Sequence, residues 1–308
     1  MRNAMNVAAS SLSLSLLFLF IGTGWAQQQQ QTTTPAPAEQ TPPQAPPPIK
    51  AQPAEPYLTG DGASITLQYW MVTAHPSIVS GSLNTSANAP NLHDIGKSKP
   101  SAPGFVVSVP AGKNNTIRVS YFQLQGTGNL VAPQAATIFG SDYNQGDYLA
   151  TNYKIQNAKM SLDYLSWPFP VHNARFHLKT LWEIQATWMR TSVDAPLRTG
   201  AVDSSGNAIQ TSGMVSHWFL YPSFGLGFDY LVSKNFRIET RASGFAFPHR
   251  STIWDAEGSL NYRVGHFEVM AGGRAFHFRT SPKAVEYYTA TLSGAYVGLR
   301  FYPFLPKK

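Results

Sequence analysis

Side chains between residues 174 and 188 alternate strictly between two kinds. One set is largely apolar and comprises Ala174, Phe176, Leu178, Thr180, Trp182, Ile184, Ala186 and Trp188. The intervening set is mostly polar or charged and comprises Arg175, His177, Lys179, Leu181, Glu183, Gln185 and Thr187. Because a strand sends successive side chains to opposite faces, the pattern predicts a strand with one oily and one charged face. A tilted strand of about 9–11 residues spans a bilayer, and this segment is longer.

Similar alternation predicts ten strands from residue 64 onward: 64–74, 104–110, 115–125, 148–165, 174–190, 215–231, 235–247, 252–263, 266–279 and 285–302. Their connections alternate in length. Turns at 111–114, 166–173, 232–234 and 264–265 are short, loops at 75–103, 126–147 and 191–214 are long, and those at 248–251 and 280–284 are modest. An even strand number with short turns at one end is typical of bacterial outer-membrane barrels. The sequence therefore predicts an all-β, antiparallel, up-and-down transmembrane β-barrel of about ten strands.

Aromatic residues on the apolar faces fall into two predicted belts. Near the outer strand ends lie Trp188, Trp218, Trp254 and Tyr287. Near the turn ends lie Tyr164, Phe176, Tyr230, Phe236, Tyr262, Phe267 and Phe301. Trp218 to Phe228 corresponds to roughly 26 Å of height at about 3.4 Å per residue and a 40° tilt, close to the apolar band of a membrane barrel. Half-buried strands of a secreted sandwich alternate too, but a sandwich has no reason to place rings in two belts.

If the apolar faces meet lipid, the charged faces point into the lumen. The predicted lumen-lining residues are Arg118, Lys159, Asp163, Arg175, Lys179, Glu183, Asp229, Arg237, Glu239, Arg241, Asp255, Glu257, Glu268, Arg274 and Arg300, with His177 and Arg263 on the same faces. Enclosed charges must be paired or hydrated. Two interpretations stay open: a salt-bridged plug, or a narrow hydrated channel. Ten strands lie nearer the filled end of the size range of barrels, which favours the plug.

The first residues predict export. Arg2, the apolar run from Leu12 to Ile21 and the small-x-small site Gly24-Trp25-Ala26 predict a signal peptide over residues 1–26. Residues 27–57 are rich in Gln, Pro and Ala, which predicts a disordered, extended periplasmic tether. The barrel is then expected over 58–304, with a short tail at 305–308. Cleavage removes Arg2 and lowers the formal net charge from +7 to +6, a balance that specifies no partner.

Composition agrees with this class. Charged residues are 13% of the chain and aromatic residues 13%, whereas typical soluble domains carry about 25% charged residues. The chain has no cysteine, so it has no disulfide framework, thiolate chemistry or lipid-anchored N-terminal Cys.

The stretch from Gly294 to Phe301 resembles the assembly signal on the last strand of outer-membrane β-barrel proteins, in which a glycine precedes spaced aromatics. Gly298 and Phe301 match that pattern, whereas the tail from Tyr302 to Lys308 departs from it. The resemblance covers about ten residues and implies the broad porin-like or small-barrel class, with no subfamily. It also implies location in the outer membrane of a Gram-negative envelope and contact with the barrel assembly machinery through the last strand.

The function expected is a structural or surface-interaction role, in which outer loops 75–103 and 191–214 contact partners or lipopolysaccharide. The alternative is a narrow channel for small polar solutes, and a surface protease is the third hypothesis. A resemblance to the ten-stranded surface proteases would imply an aspartate–x–aspartate pair and an aspartate–x–histidine pair on outer loops. Here Asp142 and Asp147 are wrongly spaced, and His249 has no aspartate two residues before it. His75, His93 and Asp94 are interpreted as solvated loop residues. We therefore expect no enzyme, cofactor, metal or nucleic-acid site, and a monomer in contact with outer-membrane lipid.

Overall fold

The computed structural model describes residues 62–73, 76–80, 91–92, 100–112, 115–133, 135–167, 175–198, 200, 204–208, 210–248, 251–281 and 286–304. Ten long strands form one antiparallel sheet in chain order. They are β1 (Ser64–Val72), β2 (Ser101–Pro110), β3 (Asn115–Val131), β4 (Tyr148–Trp167), β5 (Phe176–Asp194), β6 (Ser212–Leu231), β7 (Phe236–Phe247), β8 (Ser251–Val264), β9 (Phe267–Arg279) and β10 (Glu286–Phe301). None of these residues lies in a helix long and apolar enough to span a bilayer.

The sheet closes on itself, because β1 pairs with both β2 and β10. In the closing ladder Ile65 lies opposite Phe301 and Val72 opposite Gly294. Beyond Val72, the short strand Ser77–Ser80 continues the contact by pairing with the first residues of β10, and it also pairs with Asn91–Leu92. Closure removes the free edges that an open sheet would expose. The prediction of an antiparallel barrel of ten strands is confirmed.

One wall of the barrel is taller than the rest. Strands β3 to β6 have 17 to 20 residues, whereas β7 to β9 have 12 to 14. β6 pairs with β7 only over Phe224–Leu231, and within the described residues its first part, Ser212–Ser223, pairs with β5 alone. The extra length lies at the end with the long connections. The wall β3–β6 therefore projects beyond its neighbours there.

The connection between β3 and β4 is more ordered than the sequence predicts. β3 continues to Val131, and two short strands, Ala136–Ile138 and Ser141–Tyr143, form a hairpin within the segment that was expected to be a loop. Phe139, at the tip, has a φ of 52° and stacks on Tyr288 with ring centroids 6.1 Å apart. The Tyr143 hydroxyl donates to the Val193 carbonyl at 2.7 Å. These contacts hold the hairpin against the barrel.

The other strand bounds lie within a few residues of the predicted ones. The predicted signal peptide, the tether over 27–57 and the tail at 305–308 fall outside the described residues, so the domain boundaries stay predictions.

Candidate functional site

Charged side chains fill the half of the barrel next to the short turns. Of the predicted lumen residues, twelve are buried there: Arg118, Asp163, Lys179, Glu183, Asp229, Arg237, Glu239, Arg241, Asp255, Glu268, Arg274 and Arg300. Lys159 and Glu257 are half-buried. His177 and Arg263, on the same faces, are also buried. These residues come from eight strands, and alternation along each strand aims them at a common interior.

Glu239 and Glu268 each bind more than one guanidinium. Glu239 accepts from Arg118 at 2.8 Å and from Arg300 at 3.2 Å. Glu268 accepts from Arg237 at 2.8 Å and from Arg300 at 2.9 Å. Arg300 therefore joins the two carboxylates into one network next to the short turns.

A second group of pairs lies nearer the middle of the barrel. Asp255 accepts from Arg274 Nη2 at 2.7 Å and from Lys159 Nζ at 3.0 Å. Back at the level of the short turns, Lys179 on β5 and Asp229 on β6 are 2.7 Å apart. Eight basic residues face seven acidic ones in this half, which nearly balances the enclosed charge; they are Arg118, Lys159, Lys179, Arg237, Arg241, Arg263, Arg274 and Arg300 against Asp163, Glu183, Asp229, Glu239, Asp255, Glu257 and Glu268.

Two small cavities lie among these groups in the described part of the chain. One enclosed cavity is lined by Arg118, Lys159 and Arg241, and another by Lys179, Arg237 and Glu239. Each has a volume of about 10 Å³, which is roughly the space that one water needs. Paired, tightly packed charges of this kind form a rigid filling more readily than they form a path for solutes.

The other half of the interior is apolar, which the sequence analysis did not predict. Trp70, Phe122, Leu124, Tyr153, Ile155, Met189, Val193, Phe276, Tyr288, Leu292 and Tyr296 belong to one buried cluster. Phe122 makes edge-on contacts with Trp70 at 5.6 Å and with Phe276 at 5.3 Å between ring centroids. The cluster includes Ile138 and Tyr143, so the hairpin contributes to this layer. Burial raises the pKa of the Tyr143 hydroxyl above its ordinary value.

A signal for this layer exists in the sequence: the alternation reverses its polarity along three neighbouring strands. On β3 the inward residues change from Arg118 and Ser120 to Phe122 and Leu124, while the outward ones change from apolar to Gln123 and Gln125. On β4 the outward residues change from Leu162 and Met160 to Gln156, Lys154 and Asn152. On β5 they change from Trp182 and Ile184 to Arg190 and Ser192. An apolar exterior suits lipid and a polar exterior suits water, so the reversal marks where the tall wall leaves the apolar band.

Ten of the eleven predicted belt residues have exposed or half-buried side chains on the barrel exterior: Trp188, Trp218, Trp254, Tyr164, Phe176, Tyr230, Phe236, Tyr262, Phe267 and Phe301. Tyr287 departs from the expectation, because it is only 6% exposed. The Arg279 guanidinium lies 5.5 Å from its ring centre, and the backbone of Tyr287 pairs with Val79 of the short strand Ser77–Ser80. The covered ring therefore does not reach the outer belt.

Arg175 is a second correction. It is exposed and precedes the first residue of β5, while its carbonyl accepts a backbone bond from Leu231 at 2.7 Å. The predicted strand starts at residue 174, whereas β5 starts at Phe176, so the alternation does not include Arg175. Arg175 therefore lies at the rim of the barrel, before the first residue of β5.

The residues weighed for hydrolysis or metal binding do not form a site in the part of the chain that the structure describes. Arg198 binds the Asp147 carboxylate at 3.0 Å and the Asp142 carbonyl at 2.9 Å, which ties the turn Pro196–Arg198 to the hairpin. His75, His93, Asp94 and His249 lie outside the described residues. Among those described, no group of His, Asp or Glu has a metal-binding arrangement.

Comparison with solved structures returns barrels of the outer membrane. The chain is similar to the outer membrane protease OmpT from Escherichia coli, with a TM-score of 0.52 and 9% identity over 79% of this chain and 97% of that one. It also matches the transport unit of the autotransporter AIDA-I from Escherichia coli, with a TM-score of 0.37 and 9% identity over 79% and 90% of the two chains. Ail from Yersinia pestis gives a TM-score of 0.31 and 9% identity over 78% and 99%.

The sequence matches no protein-family model and no curated protein. At 9% identity the OmpT likeness concerns the fold, not the activity. Strand number, closure, the apolar exterior and this likeness agree: the chain has the fold of a bacterial outer-membrane β-barrel protein.

Proposed function

We propose that the protein is a closed, non-conducting barrel of the outer membrane with a structural or surface-interaction role. The observation that carries the proposal is the filled interior, in which paired charges occupy one half and an apolar cluster the other. A solute would have to break buried ion pairs and displace packed rings to pass. In this proposal residues 1–26 direct export, the last strand engages the assembly machinery, and the barrel acts as a monomer.

The tall wall β3–β6 supports the surface-interaction part of the proposal. It carries polar side chains beyond the apolar band, including Gln125 and Asn152, and its ends bear the connections at 132–147 and 195–211. Loops on a rigid scaffold are the usual location for binding residues. We propose the outer loops 75–103 and 191–214 as the contact region for a surface partner.

Planar-bilayer recording of the refolded protein tests the closed interior. We expect no steady conductance. Removing bulk from the apolar layer with Phe122→Ala and Phe276→Ala should introduce leak, whereas Phe224→Ala, which truncates a ring on the exterior, should not. A large steady conductance of the unaltered barrel contradicts the proposal and favours the narrow channel. In that case Glu239→Ala or Arg241→Ala should alter solute uptake with the fold retained.

Replacement of residues 199–209 by a Gly-Ser segment tests the surface role. We expect unchanged permeability and weakened attachment of cells to the surface partner. Peptide cleavage assays distinguish the closed barrel and the narrow channel from a protease. We expect no cleavage, and Asp147→Ala should leave that result unchanged. Cleavage that Asp147→Ala abolishes would reverse the proposal that the chain is not an enzyme.

A further inference from the structure

The exterior of the tall wall contains a polar cleft of about 470 Å³. Its outward-facing lining comprises Gln125, Thr127, Asn152, Lys154, Arg190 and Ser192. Three adjacent strands, β3, β4 and β5, contribute two residues each. Every one of these side chains offers a hydrogen-bonding group and two of them are cationic.

The two cations face each other directly. Lys154 and Arg190 are cross-strand partners in the β4–β5 ladder. Like charges in that relationship destabilise a sheet unless something neutralises them. Among the described residues neither forms an ion pair with a carboxylate, and the polar contact of Arg190 is to Met214 Sδ at 3.1 Å. Asp194 lies four residues further along β5, roughly 13 Å away at about 3.3 Å per residue. The cleft therefore presents an uncompensated pair of positive charges.

This pair lies just outside the aromatic belt. The next outward pair toward the membrane is Gln156 and Trp188, and Trp188 pairs in turn with Trp218. Exposed tryptophans of a membrane protein lie at the level of lipid headgroups. Lys154 and Arg190 are two residues further out, which is roughly 7 Å along the strands. That position matches the phosphates of the outer leaflet.

Below the belt the same strands form an apolar track. Ala158 and Ala186 are cross-strand partners, and their small side chains leave the exterior surface shallow at this point. The track leads to an apolar concavity of about 480 Å³ that includes Met160, Ile184 and Phe224. Met160 is six residues from Lys154, roughly 20 Å along the strand or about 15 Å of height at a 40° tilt. This height is about one leaflet of a hydrocarbon core of roughly 30 Å.

We propose that this wall binds one phosphate-bearing lipid of the outer leaflet, with a phosphate between Lys154 and Arg190 and an acyl chain along Ala158 and Ala186 into the apolar concavity. The surface has the cationic cleft first, then the small-residue track, then the apolar concavity. A lipid has the same order, with its phosphate followed by its acyl chain. The site is on the exterior, so it is independent of whether the lumen conducts.

Titration of the refolded full-length protein with bisphosphorylated lipid A in detergent micelles, read by native mass spectrometry, tests the proposal. Lys154→Gln with Arg190→Gln should weaken binding about thirtyfold, the effect of two basic residues near an anionic lipid. The charge-preserving exchange Lys154→Arg with Arg190→Lys should keep binding within about threefold, which also controls for folding. Lys234→Gln, in the exposed turn at the opposite end of the barrel, should leave binding unchanged.

Two further titrations distinguish a phosphate carried by a lipid from free inorganic phosphate. Dephosphorylated lipid A should bind about as weakly as the phosphorylated form binds to the double Gln variant, and millimolar inorganic phosphate should not displace the lipid. Ala158→Phe with Ala186→Phe should weaken lipid binding by filling the track. Equal binding to the native protein and the double Gln variant, equal loss with Lys234→Gln, or displacement by free phosphate would each overturn the lipid site. None of these results bears on conductance, so the closed-lumen proposal is judged separately.

Discussion

Arg241 and Asp163 form a two-pronged ion pair across the interior of the barrel. Arg241 Nη2 donates to Asp163 Oδ1 at 2.9 Å, and Arg241 Nη1 donates to Oδ2 at 2.5 Å. The residues lie on β7 and β4, with two strands between them along the sheet. Ser161 adds a hydroxyl that contacts both side chains. The pair therefore connects separate walls of the barrel through its interior.

Removing one partner of this pair should be costly. Asp163→Asn leaves Arg241 with Glu183 at 3.7 Å and Glu257 at 3.6 Å as its remaining carboxylates. Loss of one member of a buried pair costs about 3–5 kcal/mol, and we expect the low end because of these neighbours. Urea unfolding in lipid vesicles measures the change in the free energy of unfolding. Asp142→Asn, in the exposed part of the hairpin, is the control. A loss below about 1 kcal/mol for Asp163→Asn would contradict the interpretation of a stabilising filling.

Barrel closure should depend on a glycine at position 294. A Cβ at Gly294 would lie 1.8 Å from the Met71 carbonyl oxygen on the neighbouring strand. Gly294→Ala must therefore push β1 and β10 apart, and we expect a lower yield of folded barrel. Gly273→Ala is the matched control, because nothing lies within 4 Å of its Cβ position. Heat-modifiable migration on gels measures the folded fraction. Equal yields for the two variants would exclude the close approach as a requirement.

A charged side chain on the exterior should show whether the apolar band of the barrel contacts lipid. Leu226 is 46% exposed on β6, between the two belts, and Val131 is 60% exposed at the outer end of β3. In water both positions would tolerate arginine. In a bilayer, Leu226→Arg should cost about 2–4 kcal/mol, whereas Val131→Arg should cost about 0–1 kcal/mol. Unfolding in vesicles compares the two. Equal, small costs would indicate that the apolar band does not contact lipid.

Ile138 should hold the hairpin in place. Its side chain is fully buried in the apolar layer, so Ile138→Asp would bury an unpaired carboxylate. We expect the hairpin to detach and become sensitive to protease between residues 132 and 147 while the barrel stays folded. Thr137→Ala, at an exposed neighbouring position, should leave the cleavage pattern unchanged. Resistance of the Ile138→Asp variant to cleavage would mean that other contacts hold the hairpin.

Hydrophobic alternation was sufficient to predict the ten long strands, although not the short strands in the connections at 75–103 and 126–147. Its period of two separates the faces of β5 and β7 residue by residue, and short turns make consecutive strands pair. The same rule placed Arg237, Glu239 and Arg241 on one face. It failed where local pattern was not the deciding factor: Arg175 precedes the strand, and Tyr287 is covered by Arg279 from another strand.

The apolar half of the interior was missed for a different reason. The rule that apolar residues face lipid holds only within the bilayer and not along the whole length of each strand. Past Phe122 on β3 the exterior meets water, so Leu124 turns inward and Gln125 outward. A reversal of alternation within one strand indicates this boundary. Because the reversal recurs on β4 and β5, it can be recognised in the sequence.

The sequence by itself determined the number, order and direction of the ten long strands and the face to which most of their side chains point. These properties depend on the two-residue period of the side chains and on neighbours in sequence. Only the closed barrel decided which charges meet across the interior, where the apolar layer lies and how the hairpin packs. Arg300, Glu239 and Arg118 come from β10, β7 and β3, and their distances depend on the closure and stagger of all ten strands. No local pattern carries that information.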